Sequence, residues 1–461
     1  MNKKQYCTHF TNYWIRSAFS AFCLCALLLL LSGCLPGRKK NKEITITLWH
    51  TYVEQMRAAM DDLVAEFNAT TGAEQGIIVK VTGVANASVI NEKLIAAANK
   101  DPGAPGLPDM AVAYPDIAVI LARTGALMDF GTQFSPEELS RYVPEFLEEG
   151  KLGGETLYLL PIAKSTEVLY VNKTFFERFA AETGVDWSCF ETFEGILAAG
   201  EKYYAWTDAK TPDIPGDGKN FYYPDKLFNY AMIGMEQLGE HLVRDEALDF
   251  SGGAFRKIWD SYYTPAVRGS VAIFDNYGNY LAKYGEIVCV TSTSAGAMFY
   301  PDTVTYLNNT KEDVEFEILP YPVFKGGEKI AVQRGGGMLI AKSTPEREKA
   351  AAVFLKWFTA PKQNTAFAIK AGYLPVTKEA IRDFGKSDTL ALIENKNVRK
   401  STLTGIAMQS AYHFYFPPIF SGFDALQGKF SKAMQRAALE AKEKGGPVES
   451  AEALERFKRE F

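Results

Sequence analysis

Ile44-Thr-Ile-Thr-Leu-Trp49 alternates apolar and polar residues, and a second apolar run follows at Ile77-Ile-Val-Lys-Val81. Alternation with a period of two is typical of a strand with one buried face. Between the two runs, apolar side chains recur at helical spacing from Met56 to Phe67, and Gly72 is predicted to end this helix. The region therefore predicts a strand, a helix and a second strand.

The same order of elements continues toward the carboxyl end. A helical pattern covers Ile90 to Ala98, an apolar strand spans Met110-Ala-Val-Ala113, and Pro115 begins another helix. Strands that alternate with helices predict an α/β fold in which helices cover both faces of a sheet. Ligand sites in such folds lie beyond the carboxyl ends of the strands. We therefore expect one cleft where the segments after the first three strands converge, namely those after Trp49, Gly83 and Ala113.

A second lobe is predicted from the elements beyond residue 163. They are strands at 168–171, 287–291 and 316–319, helices at 192–205 and 227–238, and a helix from Thr344-Pro345 that stops before Pro361. Thr344 is a typical N-cap, and proline suits the first helical position. Single cores stop growing near about 250–300 residues. A chain of 461 residues therefore predicts two lobes.

The amino end of the chain predicts export. Three basic residues, Lys3, Lys4 and Arg16, precede an apolar run from Ser17 to Leu31. This run is shorter than the roughly 20 residues of a permanent membrane-spanning helix. A basic start, a short apolar run and small residues at its end are typical of a signal peptide, which we assign to residues 1–33.

The tetrapeptide Leu31-Ser-Gly-Cys34 resembles the lipobox of bacterial lipoproteins, in which the cysteine is acylated. The resemblance implies lipidation of Cys34 and an anchor that holds the protein on the extracytoplasmic side of a bacterial membrane. Residues 34–43 are polar and basic enough to serve as a solvated tether. An ordinary secretory signal with an incidental cysteine is the alternative.

The composition argues against a nucleic-acid partner. The chain has 55 acidic and 50 basic residues and a formal net charge of −5, whereas binding to nucleic acid calls for a basic patch. Beyond Cys34, the remaining cysteines are Cys189 and Cys289. The sequence leaves open whether they form one disulfide or stay free, and it predicts no metal site and no cofactor.

No motif for catalysis stands out. Beyond the leader, the histidines are His50, His241 and His413, which are far apart in sequence, and there is no P-loop, Cys-x-x-Cys or Gly-x-Ser-x-Gly. Gly335-Gly-Gly337 lacks the spacing of a dinucleotide fingerprint. The sequence therefore predicts a protein that is not an enzyme. A secreted glycoside hydrolase remains the enzymatic alternative, because carboxylates are plentiful and two of them suffice for that chemistry.

Small polar residues lie beside two predicted strands. Lys164-Ser-Thr166 precedes the strand at 168–171, and Thr291-Ser-Thr-Ser294-Ala-Gly296 follows another strand. Hydroxyl groups and exposed backbone amides suit a polyhydroxylated ligand. An aromatic ring such as Tyr373 packs on a sugar face or on a quaternary ammonium group. The same residues also suit turns and cores, so the pattern alone leaves both interpretations open.

Two blocks of sequence carry a family resemblance. Lys164-Ser-Thr-Glu-Val-Leu-Tyr-Val-Asn-Lys173 and Ala371-Gly-Tyr-Leu-Pro-Val-Thr377 resemble conserved segments of the family 1 extracellular solute-binding proteins. Within that family, the glycerol-3-phosphate-binding components of importers are the most similar and the maltose-binding components are more distant. The resemblance implies two α/β lobes joined by hinge strands in the periplasmic-binding-protein fold, with a ligand cleft between the lobes. It also implies a monomer that delivers its ligand to a pair of permeases and an ATPase.

The resemblance further implies a set of ligand-binding positions. The family's ligand serine falls on Ser165, with Thr166 beside it; its second serine falls near Ser294, its glycine pair on Gly335 and Gly336, and its tyrosine on Tyr373. Other positions depart from the family pattern. The first-lobe tyrosine aligns with Ala87, beside Asn86, and the family's glutamate falls at Pro115, so that Tyr114 and Asp116 become candidates. The tryptophan-bearing loop aligns with Phe221-Tyr-Tyr-Pro-Asp225, which adds Tyr223 and Asp225.

The phosphate-binding arginine of the family has no counterpart, because no arginine lies between Arg399 and Arg436. A guanidinium group is the natural clamp for a phosphate, so Arg334 or His413 would have to supply the charge. The predicted ligand is a glycerol-phosphate derivative such as a glycerophosphodiester, with a neutral carbohydrate as the alternative. A wall of Tyr222, Tyr223, Tyr412, Phe414 and Tyr415 is predicted to receive a choline-like head. The predicted lobes are 44–163 with about 291–341, and about 164–290 with 342–461.

Overall fold

Two sheets organise the fold of the computed structural model, which describes residues 43–384, 386–445 and 449–461. The strand order of the first sheet is β2-β1-β3-β14-β4. Its first three strands run parallel, whereas β14 is antiparallel to both of its neighbours. The strands are β1 (Ile44–His50), β2 (Ile77–Gly83), β3 (Met110–Ala113), β4 (Leu160–Pro161) and β14 (Gly337–Ile340).

The second sheet has the strand order β12-β5-β9-β6. Here β5 is antiparallel to β9 and β12, and β6 is parallel to β9. The strands are β5 (Glu167–Asn172), β6 (Tyr222–Pro224), β9 (Cys289–Thr293) and β12 (Phe316–Leu319). Three two-stranded ladders complete the strands: β7 (Val243–Arg244) with β8 (Ala247–Leu248), β10 (Thr303–Thr305) with β11 (Lys311–Asp313), and β13 (Ile330–Val332) with β15 (His413–Tyr415).

Helices surround both sheets. Those before the second sheet are α1 (Glu54–Ala69), α2 (Thr71–Gln75), α3 (Ala87–Asn99), α4 (Pro115–Arg123), α5 (Pro136–Leu139) and α6 (Pro144–Gly150). Those of the middle region are α7 (Lys173–Thr183), α8 (Phe193–Asp208), α9 (Leu227–Gln237), α10 (Ala254–Arg268) and α11 (Gly278–Lys283). Those of the last third are α12 (Pro345–Phe358), α13 (Pro361–Ala371), α14 (Lys378–Phe384), α15 (Ser387–Ala391), α16 (Lys396–Ala411), α17 (Phe423–Lys444) and α18 (Ser450–Lys458).

Local sequence accounts for most of these elements. Ile46 and Leu48 of β1 are fully buried, as its alternation predicts. The helix predicted from Thr344-Pro345 is confirmed, since α12 begins at Pro345 and ends at Phe358. The predicted end of α1 at Gly72 is wrong. That glycine lies buried inside α2, where an added Cβ would meet the Ile77 carbonyl oxygen at 2.6 Å.

Strand pairing corrects the predicted lobe boundaries. Residues 291–341 were assigned to the first lobe, but β9 and β12 pair with β5 in the second sheet, and only β14 returns to the first. Conversely, residues beyond 342 were assigned to the second lobe, but α12 packs against β1, and α13 packs against α1. Backbone hydrogen bonds to neighbouring strands decide which sheet a strand joins, and its position along the chain does not.

Helices of the last third divide between the two sheets. The Phe67 and Phe354 rings, on α1 and α12, meet at 5.1 Å in a T-shaped arrangement. On the other side, Phe430 of α17 meets Phe228 of α9 at 5.2 Å, and Ser401 of α16 donates a hydrogen bond to the Ser294 carbonyl oxygen. The carboxyl-terminal third therefore belongs to both lobes.

Backbone hydrogen bonds tie together the segments that connect the sheets. Ser165 and Arg334 exchange both backbone hydrogen bonds, at 2.9 and 2.8 Å, and Lys164 and Leu374 do the same at 3.1 and 2.6 Å. Beside them lies a polar cluster of Lys164, Glu149 and Gln333, which we call the crossover cluster. Both charged side chains are nearly inaccessible, with exposed fractions of 2% and 5%.

Three contacts define the crossover cluster. Lys164 Nζ donates to Glu149 Oε2, and Gln333 Nε2 donates to the same oxygen at 2.8 Å. Lys164 Nζ also approaches the Gly335 carbonyl oxygen at 3.4 Å. Buried charges persist where they are paired and hydrogen-bonded. The cluster thus depends on all three side chains.

The predicted leader (residues 1–33), the tether at 34–43 apart from its last residue, and Cys34 lie outside the described residues. Cys189 and Cys289, whose pairing the sequence leaves open, are both free thiols. In the part of the chain that the structure describes, no helix is both long and apolar enough to cross a membrane.

Candidate functional site

A cleft of about 720 Å³ opens where the first three strands end. It is lined after β1 by Val53 and Met56, after β2 by Ala87 and Asn91, and after β3 by Tyr114, Pro115 and Asp116. The predicted convergence of these segments is therefore confirmed. The facing wall comes from the second lobe and includes Asp225, Lys226, Asn229, Tyr277, Asn279, Tyr280, Ser292, Phe299, Tyr300, Phe423, Asp424 and Gln427.

Six of the predicted site residues line this cleft. They are Tyr114, Asp116, Ser165, Asp225, Gly335 and Tyr373. Gly335 has a φ of +100°, and an added Cβ would lie 2.5 Å from the Ala163 carbonyl oxygen. Glycine is required there because both the backbone conformation and the space exclude a side chain.

Three predicted polar residues have structural roles instead. Asn86 caps α3, since its side chain accepts a hydrogen bond from the Val89 amide at 3.0 Å. The Thr166 hydroxyl donates to the Val332 carbonyl oxygen at 2.8 Å, and its amide donates to the Ser294 hydroxyl at 3.2 Å. Thr166 and Ser294 are buried and are not part of the cleft lining.

Tyr223 and Gly336 also lie off the cleft. The Tyr223 ring is buried, and its hydroxyl donates to the carbonyl oxygens of Phe274 and Asn276 at 2.8 and 3.0 Å. At Gly336, an added Cβ would meet the Ala113 carbonyl oxygen at 3.0 Å. This glycine therefore serves close packing between β14 and β3.

The predicted aromatic wall is wrong. Tyr222, Tyr223 and Phe414 are buried, and the Tyr412 hydroxyl donates to the Tyr321 carbonyl oxygen; none of these, nor Tyr415, lines the cleft. The exposed rings of the cleft are instead Tyr114, Tyr277, Tyr280 and Phe299. The family resemblance drew attention to the loop before Asp225. Tyr277, Tyr280 and Phe299 instead lie in segments without a recognisable motif.

Arg334 is the guanidinium group of the cleft wall. Its Nη1 donates to Glu167 Oε1 at 3.0 Å, and Asn229 Nδ2 donates to the same oxygen at 2.7 Å. Burial raises the pKa of Glu167, against the opposing effect of Arg334. The Arg334 side chain stays 29% exposed, so part of its donor set faces the cleft. The alternative cation, His413, is an exposed residue of β15 and is not part of the cleft lining.

A polar floor lies on the second lobe. Asp225 accepts hydrogen bonds from the Ser292 hydroxyl at 2.6 Å and from the Gly278 amide at 2.8 Å. Tyr300 stacks on Tyr170 at a centroid distance of 3.9 Å. Burial raises the pKa of the Tyr300 hydroxyl, and the neighbouring Ser292 hydroxyl has a smaller, lowering effect on it.

Two carboxylates face the cleft from opposite lobes. Asp116 lies in the first turn of α4, and Asp424 lies in the first turn of α17. Burial and, after it, the neighbouring carboxylate of Asp424 together raise the pKa of Asp116 to about 6. The sequence pointed to Asp116 through the family alignment. Nothing marked Asp424, which follows Gly422-Phe423 in a segment without a motif.

A family model described as "Bacterial extracellular solute-binding protein" matches residues 62–392. A search of the curated proteins found no match.

Among solved structures, the cyclic α-maltosyl-1,6-maltose binding protein from Arthrobacter globiformis is similar at 19% identity and a TM-score of 0.68, over 90% of this chain and 98% of that one. UgpB from Mycobacterium tuberculosis, solved in complex with glycerophosphocholine, is similar at 17% identity and a TM-score of 0.67, with the same coverage of both chains. The sugar-binding protein MalE from Xanthomonas citri is similar at 16% identity and a TM-score of 0.66, over 90% of this chain and 96% of that one. These similarities establish the two-lobe fold.

Proposed function

Because this chain belongs to the bacterial extracellular solute-binding protein family, we propose that it captures a glycerophosphodiester for an ATP-driven importer. Members of the family bind small solutes outside the cell and work with membrane permeases and an ATPase. The proposal adds the chemical class of the ligand. It also adds a monomeric state and an anchor on the extracytoplasmic side of the membrane through Cys34.

The position of Arg334 carries the ligand assignment. A phosphodiester bears one negative charge, whereas a phosphomonoester bears nearly two. Arg334 already shares its charge with the buried carboxylate of Glu167, so it matches a singly charged phosphate better than a doubly charged one. Free glycerol 3-phosphate should therefore bind more weakly than a diester.

The polar floor supplies partners for the glycerol end. Ser165 lines the cleft next to Arg334, and Ser292 and Tyr300 line it on the second lobe. Hydroxyl groups can donate to and accept from a diol.

A neutral carbohydrate is the second candidate. The exposed rings of Tyr280 and Phe299 favour it, because aromatic faces pack on the apolar faces of sugar rings. A glycoside hydrolase is the third candidate, since Asp116 and Asp424 form a carboxylate pair in the cleft. We expect no turnover, because family members are binding proteins.

Calorimetric titration of the protein without its lipid separates these candidates. Glycerophosphocholine should bind, glycerol 3-phosphate should bind more weakly, and maltose should give no heat. Tight binding of maltose alone would assign the protein to sugars. Release of choline or glycerol during incubation with glycerophosphocholine would make the protein a hydrolase.

A variant series tests the role of the guanidinium group. Hydrogen bonds to a charged group contribute about 1.5–3 kcal/mol, so Arg334→Gln should weaken binding of a phosphodiester by roughly 10 to 150-fold. Arg268→Gln is the matched control, because Arg268 is 61% exposed and pairs with Glu201 on the surface. If both variants bind as the wild type does, Arg334 does not hold the phosphate.

A further inference from the structure

The carboxylates of the cleft differ in whether they are paired. Glu149 is bound to Lys164 and Gln333, and Asp225 accepts hydrogen bonds from Ser292 and Gly278. Asp116 and Asp424, by contrast, form no ion pair with any residue that the structure describes. The two carboxylates are close enough for Asp424 to raise the pKa of Asp116, so when both are ionised they concentrate negative charge in the cleft without a cation paired to either.

Tyr114 lies in the same part of the cleft as Asp116. Its ring is 47% exposed and lines the cleft. Asp116 follows Tyr114 by two residues, and Arg334 and Asp424 line the same cleft. Although the ring is partly exposed, the surrounding cleft walls desolvate its hydroxyl and raise its pKa, Arg334 lowers it, and Asp116 and Asp424 raise it. The cleft thus has a positive side at Arg334 and a negative side at the two carboxylates, with Tyr114 close to both.

A separate observation shows that this cleft is built to hold a polar ligand. Gln333 lines it and is only 1% exposed. Its Oε1 atom has no partner among the described residues. Buried polar atoms are normally satisfied, so a ligand that carries a hydrogen-bond donor accounts for this oxygen.

We propose that Asp116 and Asp424 together bind the positively charged head of the ligand, beside the Tyr114 ring, while the phosphate lies toward Arg334. The proposal rests on the proposed function, since it assigns the second end of a glycerophosphodiester. Carboxylates that face a partly dehydrated cleft favour a cation, and an aromatic face attracts an ammonium or a trimethylammonium group. A metal ion is a poorer match, because no group of three or more His, Cys, Asp or Glu in the described part of the chain could hold one.

The charge arrangement selects among diesters. A ligand with a neutral head, such as glycerol, leaves the two carboxylates facing each other without a counter-charge. A ligand with a choline or ethanolamine head places one positive charge between Asp116 and Asp424, which come from different lobes. The protein should therefore select for a zwitterionic diester.

The test compares two ligands that differ in head charge. Titrations at pH 7.5 with glycerophosphocholine and with glycerophosphoglycerol should show at least tenfold tighter binding of the former. Asp424→Asn should reduce this preference at least fivefold, mainly by weakening glycerophosphocholine. Glu443→Gln is the control, since Glu443 is an exposed carboxylate of the same helix, α17, outside the cleft lining.

The outcomes separate this proposal from the proposed function. Equal binding of both diesters, unchanged in Asp424→Asn, overturns the head-group site and leaves the diester assignment standing. Binding of maltose and of neither diester overturns the diester assignment itself. Asp116→Asn provides a second variant. Melting temperatures of both variants, measured without ligand, confirm that a loss of preference reflects binding to folded protein.

Discussion

Replacing Lys164 with methionine should destabilise the whole protein, because it leaves the Glu149 carboxylate buried with Gln333 as its remaining partner. The two charged side chains are only 2% and 5% exposed, so water cannot replace the lost ammonium group. Breaking a buried pair by removing one partner costs about 3–5 kcal/mol. At about 2–4 °C per kcal/mol for domains of this size, Lys164→Met should lower Tm by roughly 6–20 °C.

Differential scanning calorimetry of three variants tests this magnitude. Lys370→Met is the matched control, because its pair with Asp62 is more than half exposed on both sides and such pairs contribute about 0–1 kcal/mol. The double variant Lys164→Met with Glu149→Leu should recover most of the lost stability, since it removes the unpaired charge. The reasoning is refuted if Lys164→Met costs less than about 1 kcal/mol, or if the double variant is no more stable than the single one.

Three further predictions concern the cleft and the anchor. Tyr373→Ala should weaken ligand binding, measured by titration, by about 1–3 kcal/mol. Tyr373→Phe keeps the ring and its parallel stack on Phe367 at 6.4 Å, so this variant should lose no more than one hydrogen bond to the ligand. If both variants bind with unchanged affinity, Tyr373 is not part of the site. The pKa of Asp116 is raised to about 6 by burial and by Asp424, so its protonation stabilises the fold at low pH and this contribution is lost as pH rises through 6. Asp116→Asn should therefore raise Tm more at pH 8 than at pH 5, and equal shifts would contradict a raised pKa of Asp116 in the folded protein. Cys34→Ser should move the protein from the membrane to the soluble fraction on cell fractionation, and a variant that stays with the membrane is held there by something other than a lipid on Cys34.

Local patterns predicted the elements well. The strand at Met110–Ala113 and the helix from Pro345 occur as predicted, because a short apolar run and an N-terminal proline act within a few residues. The convergence of the first three strand ends on a cleft also follows from sequence, since parallel strands place their carboxyl ends at one edge.

Features that depend on distant pairing were not predictable. Cys289–Thr293 and Gly337–Ile340 are similar buried strands, yet they join different sheets. Neither sequence indicates which strand it pairs with. For the same reason Tyr223 was taken for a ligand residue, although its hydroxyl is bound to two carbonyl oxygens. Asp424 was missed because only the folded chain brings it close to Asp116 in the cleft.

The return of β14 to the first sheet has a consequence for biosynthesis. The first sheet lacks one strand until residue 340 has been made, and its covering helices end at residue 371. The second sheet in turn needs helices that end at residue 444. Domains commonly fold one after another as the chain emerges, but neither lobe here can be completed early. Both lobes should therefore reach their final packing only late in synthesis, when nearly the whole polypeptide has been made.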